Sequence, residues 1–107
     1  HIEASDEAGH EGDVELKVKT IEYLDQRVVK YILEELEKFD EPVSIAILPD
    51  HPIFCAIRTH TYDPVPVSIY SPNKEPDKVE IYDEFSVKEG SLGHLKGDEF
   101  MKVFLRK

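Results

Sequence analysis

Val43-Ser44-Ile45-Ala46-Ile47-Leu48-Pro49-Asp50-His51 is the stretch that decides the fold: an apolar run that stops abruptly on a carboxylate beside an imidazole. Such a run, rich in β-branched residues and bounded by Pro42 and Pro49, reads as a strand covered on both faces. Its carboxyl end opens into a crevice, the place where ligands collect in open α/β sheets. The class is therefore α/β, with strands of a mostly parallel sheet and a long packing helix.

The helix lies just upstream. Val14, Val18, Ile21, Leu24, Val28, Ile32 and Leu36 recur at intervals of three and four, which predicts a helix from about Val14 to about Lys38 with one apolar face. Asp13 is suited to cap its start. Pro42 prevents the helix from continuing. Ahead of the helix, Ile2-Glu3-Ala4 reads as the end of a strand whose earlier part lies upstream, and Ser5 to Asp13 as a strand-to-helix loop. Downstream, residues 52–57 read as a partly buried active-site loop and Val67-Ser68-Ile69-Tyr70 as a strand kept from central pairing by its prolines. Lys78 to Tyr82 alternates like an edge strand or a surface extension. Phe100, Met101, Phe104 and Leu105 give a terminal helix an apolar face near the cap candidate Asp98.

Composition narrows the partners. With 13 Lys and Arg against 23 Asp and Glu, the net charge of -10 argues against nucleic acid and anionic membranes. No apolar stretch reaches the roughly 20 residues needed to span a bilayer. A lone cysteine, Cys55, cannot form a disulfide within the chain, which favours a reducing compartment and a cytoplasmic location.

Two further stretches carry the chemistry of Asp50-His51. Asp6 and His10 are four residues apart and share a face on any helical turn. His60 sits in Arg58-Thr59-His60-Thr61. Read singly, each has an ordinary alternative: Asp6 as a cap, Asp50-His51 as a strand-end turn, His60 as a hydrogen-bonded structural residue. Read together, Asp6, His10, Asp50, His51 and His60 predict a two-metal site at the carboxyl edge of the sheet. A mixture of carboxylate and imidazole suits manganese or zinc, with magnesium where oxygen donors complete the shell. Two cations about 4 Å apart suit phosphoryl transfer. No serine in the chain has an adjacent base or a nucleophile elbow.

In this order, Asp6-Glu7-Ala8-Gly9-His10-Glu11-Gly12-Asp13, Leu48-Pro49-Asp50-His51-Pro52 and Arg58-Thr59-His60-Thr61-Tyr62-Asp63-Pro64-Val65-Pro66 resemble the C-terminal part of archaeal-type, cofactor-independent phosphoglycerate mutases of the alkaline phosphatase superfamily. The likeness extends through Tyr82-Asp83-Glu84 to Gly97-Asp98-Glu99-Phe100-Met101. Ile53-Phe54 departs from the Thr-Pro of that pattern.

The resemblance implies that residues 1–107 are the C-terminal portion of a metal-binding phosphatase-like domain. It also implies two divalent ions and transfer through a phosphoserine. Asp6, His10 and His60 would hold one ion, and Asp50 and His51 would help to hold the other. The nucleophilic serine and the substrate-binding insertion domain would lie upstream. The expected partners are phosphoglycerate and the missing N-terminal portion, with self-association through an exposed sheet edge. The alternatives are another phosphotransferase or phosphatase of the superfamily, or a non-catalytic metal-binding module.

Overall fold

The computed structural model describes residues 1–106. Among them the elements run α1 (Ala4–Glu11), α2 (Val14–Tyr23), a π-helical stretch (Leu24–Val29), α3 (Lys30–Leu36), β1 (Ile45–Ile47), β2 (Ile53–Phe54), β3 (Thr59–His60), β4 (Ser68–Tyr70), a 3-10 turn (Ser86–Glu89) and α4 (Gly97–Arg106). The chain divides into two compact units, residues 1–40 with 51–64, and residues 41–50 with 65–107. The class is α/β.

In the first unit the predicted loop after Ala4 is a helix. Asp6 and Glu7 lie in the first turn of α1, where the helix dipole favours negative charge, and His10 lies in its last turn. Gly12 ends it at φ 72°, a left-handed cap open to glycine, whose N–H donates to Gly9 O at 3.0 Å. Ile2-Glu3-Ala4 is not a strand, because Ala4 already opens this helix.

Asp13 caps α2 as expected, its Oδ1 accepting from Leu16 N–H at 3.0 Å. The helix then continues without a break to Leu36, close to the span read from periodicity. Much of its apolar stripe is open, with Val14 60% exposed and Ile21 52% exposed, while Leu24, Val28 and Leu36 are half-buried.

The predicted loop at 52–57 is instead a hairpin. β2 and β3 pair antiparallel with Ile53 opposite His60 and Phe54 opposite Thr59. The hairpin rests on α1, where Ile53 packs against Gly9, and Ile53 and Ala8 are the buried apolar residues of this unit. A Cβ on Gly9 would come within 2.8 Å of Ile53 Cγ2, which explains a glycine inside a helix despite its poor propensity. Lys17 Nζ on α2 donates to the Ile53 carbonyl and ties the same strand from a second side.

In the second unit β1 and β4 pair antiparallel, Ile45 with Tyr70, Ala46 with Ile69 and Ile47 with Ser68. The strand expected to be kept from central pairing by its prolines is thus the partner of the Ile45 run, because Pro64 and Pro66 precede the paired residues and leave their N–H groups free to pair. Two further expectations are corrected here. The strand around Ile45 is short and half-exposed, not covered on both faces, and both described ribbons are antiparallel, not parallel. A parallel pair needs a neighbour delivered by a long crossover, and these strands pair instead with partners that return in the opposite sense.

Residues 78–82 form no strand. Tyr82 there donates its hydroxyl to Pro66 O at 2.9 Å and Ile47 O at 3.3 Å, fastening the extension to the ribbon. Burial, followed by the charge of Glu84, pushes its phenol up to about 12. The terminal helix forms as read, with Asp98 and Glu99 in its first turn, Phe100 stacked on Phe104 at 5.9 Å and Met101 and Leu105 exposed. No described helix is long and apolar enough to cross a membrane.

Candidate metal centre

Helix α1 and the β2–β3 hairpin assemble one polar cluster. Helical spacing brings His10 Nε2 to 3.5 Å from Asp6 Oδ2. His60, at the end of β3, brings its Nε2 to 3.2 Å from His10 Nε2 and 3.9 Å from Asp6 Oδ1, although it lies 50 positions beyond His10. One donor atom from each of Asp6, His10 and His60 lies within 4.8 Å of the others. All three are partly exposed, and His10 and His60 line an open cleft of about 550 Å³.

His51 flanks the cluster. Its ring stacks on His60 with centroids 3.6 Å apart, and its Nε2 is 3.8 Å from Asp6 Oδ1. Asp50 is placed differently. It follows β1 as an exposed residue of the second unit and is not in the three-residue group. The sequence placed all five residues at the carboxyl edge of a sheet, but the structure builds the cluster on the flank of α1 and on a hairpin. Proximity comes from hairpin-on-helix packing and not from strand ends.

The donor set can be tested for fit to a cation. Ligand atoms about 2.1 Å from a common ion stand about 3.0 to 3.4 Å apart at octahedral or tetrahedral angles. The two imidazole nitrogens, 3.2 Å apart, already meet that spacing, whereas Asp6 approaches them through different oxygens, Oδ2 at 3.5 Å from His10 and Oδ1 at 3.9 Å from His60, so its carboxylate must turn inward to offer one oxygen to a shared ion. The tautomer agrees. His10 Nδ1 lies 3.0 Å from the Arg58 carbonyl, which can only accept, so the proton belongs on Nδ1 and the lone pair on Nε2 points into the cluster. Such a backbone partner on the far nitrogen is the usual support of a metal-binding histidine. The Asp6, His10 and His60 side chains thus fit a divalent ion.

Two participants escaped the sequence reading. The Arg58 carbonyl was unreadable because every residue has one. Thr61 Oγ1 is buried beside the cleft with no hydrogen-bond partner among the described residues, and a threonine beside a histidine gives no sign of that.

The comparisons with known proteins point to the same chemistry. The chain belongs to the Metalloenzyme superfamily, whose signature covers residues 1–107. Within it, the chain is 49% identical over 107 residues to a Methanosarcina mazei protein named 2,3-bisphosphoglycerate-independent phosphoglycerate mutase, covering 99% of this chain and 27% of that protein. A Methanothermobacter thermautotrophicus protein named 2,3-bisphosphoglycerate-independent phosphoglycerate mutase 2 is 45% identical over 105 residues, covering 98% of this chain and 26% of that protein. This chain therefore spans about a quarter of the length of these curated relatives. The solved structure of the PH0037 protein from Pyrococcus horikoshii matches with a TM-score of 0.84 and 33% identity, covering 95% of this chain and 30% of that one.

Proposed function

We propose that residues 1–107 are the C-terminal portion of the metal-binding domain of a mutase that interconverts 3-phosphoglycerate and 2-phosphoglycerate without a bisphosphoglycerate cofactor. The acceptor serine and the substrate-binding insertion domain belong to the rest of that protein. One observation carries the reading: Asp6, His10 and His60 converge in a chain matched almost end to end by proteins named as such mutases. Asp6, His10 and His60 hold one divalent ion, manganese in the first instance, with zinc or magnesium as alternatives. Asp50 and His51 are assigned to a second ion on their motif alone.

When bound, divalent ions supply charge that neutralises phosphate oxygens and lowers the pKa of a coordinated nucleophile. The chain's own residues do the rest. The Arg58 carbonyl keeps the His10 proton on Nδ1, and His51, stacked on His60, limits rotation of that ring. The open cleft beside them leaves room for a phosphate ester.

The test is an assay of the complete protein on 3-phosphoglycerate with manganese and no bisphosphoglycerate, run beside the isolated chain. The complete protein should form 2-phosphoglycerate. The isolated chain should bind manganese without turnover, because it holds no acceptor serine. Free phosphate released by the complete protein, with no 2-phosphoglycerate formed, would replace the mutase with a phosphatase of the superfamily.

A further inference from the structure

Arg58 is the sole non-glycine residue with a left-handed backbone among the described residues, at φ 56°. L-residues avoid that region, and glycine is the default there. Arg58 closes the hairpin turn, its N–H donating to Phe54 O at 2.8 Å, and the left-handed geometry turns its own carbonyl toward His10 Nδ1 at 3.0 Å. Its side chain is committed as well. A Cβ added to Gly12 would collide with Arg58 Nε and stand 3.1 Å from both Arg58 Cζ and the Cys55 carbonyl, so the guanidinium lies against the residue that caps α1. A cation is favoured there, because the last carbonyls of a helix carry its negative dipole end. Arg58 therefore holds the hairpin to α1 at two points, two residues ahead of His60 and beside His10.

We propose that Arg58 is the positioning residue of the histidine pair, its left-handed backbone aiming a carbonyl at His10 and its guanidinium fixing the turn on the end of α1. The nitrogen that His10 offers follows from this one residue, which supplements the packing of Ile53 on Gly9 in holding the two imidazoles at their spacing. The inference rests on the proposed metal site, and its test separates the two. In the complete protein, nitrogen NMR of labelled histidines at about pH 8.5, above the ordinary imidazole pKa, reads the His10 tautomer with no metal present. Manganese titration then reads affinity in the same samples.

The wild type should show His10 protonated on Nδ1. Arg58→Val, whose β-branched side chain resists positive φ, should lose that tautomer and weaken manganese binding by about 10- to 100-fold, with helix content unchanged by circular dichroism. Arg58→Thr serves if the valine variant does not fold. Arg58→Gly keeps the left-handed turn but loses the clamp, so its tautomer should persist and its affinity fall only about threefold. A wild-type tautomer and wild-type affinity in Arg58→Val would overturn the inference, as would a wild-type His10 protonated on Nε2. If His60→Ala lost manganese binding while Arg58→Val kept it, the positioning role would fall and the metal site stand. An Arg58-dependent tautomer in a protein that binds no metal would leave the positioning role and remove the metal site.

Discussion

The helix–hairpin unit and the ribbon unit both hold well-placed aspartates, but they commit them in opposite ways. Asp6, in the first unit, faces the imidazoles of His10, His51 and His60 at 3.5 to 3.9 Å, distances too long for strong hydrogen bonds. Asp77, in the second, accepts from the N–H groups of Ser91 and Val79 at 2.9 Å and from the Ser91 hydroxyl at 3.2 Å. Asp83 accepts from Phe85 N–H at 2.9 Å and Ser86 N–H at 2.6 Å. These amide bonds hold both carboxyls below the usual range, with Ser91 the main cause for Asp77 and Ser86 for Asp83. A carboxylate saturated by backbone amides is structural, whereas one surrounded by side-chain lone pairs can bind a cation.

The sharpest way to break that contrast is to remove one carboxylate or imidazole from each unit. His60→Ala in the complete protein should reduce manganese affinity, and with it the proposed mutase activity, by about 100-fold or more, with partial rescue by excess manganese, because one of the three proposed donors is lost. Asp77→Ala should leave manganese affinity unchanged. Equal losses in the two variants, measured by titration calorimetry, would erase the distinction between them.

A smaller effect tests the packing that creates the site. Gly9→Ala should destabilise the protein by about 1 to 3 kcal/mol, since Ile53 must shift to admit the methyl group. That shift carries the hairpin with it, so manganese affinity should fall along with the melting temperature. A melting temperature equal to or above the wild type's would mean that the contact between α1 and β2 is looser than described.

The smallest effect lies in the ribbon. Tyr82→Phe removes a hydroxyl that donates to two carbonyls and should cost about 1 kcal/mol with no change in metal binding. The pH dependence has a definite sign. A phenol raised from 10 to about 12 contributes stability that is complete below pH 10 and is lost as the pH rises toward 12. Asp77 and Asp83 act in the opposite direction. Their lowered carboxyls stabilise the fold above the ordinary value of 3.8, and the contribution disappears as the pH falls below it. Denaturant titrations across both ranges, with Tyr82→Phe flattening only the alkaline limb, check the assignment.

Local pattern and residue type were enough to read the long helix from Val14, its Asp13 cap, the existence though not the pairing of the strand near Ser68–Tyr70, and the terminal helix, because each depends on neighbours within a few residues. The donor types of Asp6, His10 and His60 were legible for the same reason: a carboxylate and an imidazole at helical spacing declare their chemistry locally. What the sequence left undetermined was everything settled by contact at a distance. Whether Ser5 to Asp13 was loop or helix, whether Ile53-Phe54 was loop or strand, and which strands paired with which all depended on partners tens of residues away. The site followed the same division. Only the packing of Ile53 against Gly9 set His60 beside His10, and only the left-handed turn at Arg58 chose the nitrogen that His10 presents, because neither an interelement distance nor a positive φ on arginine leaves a trace in residue order.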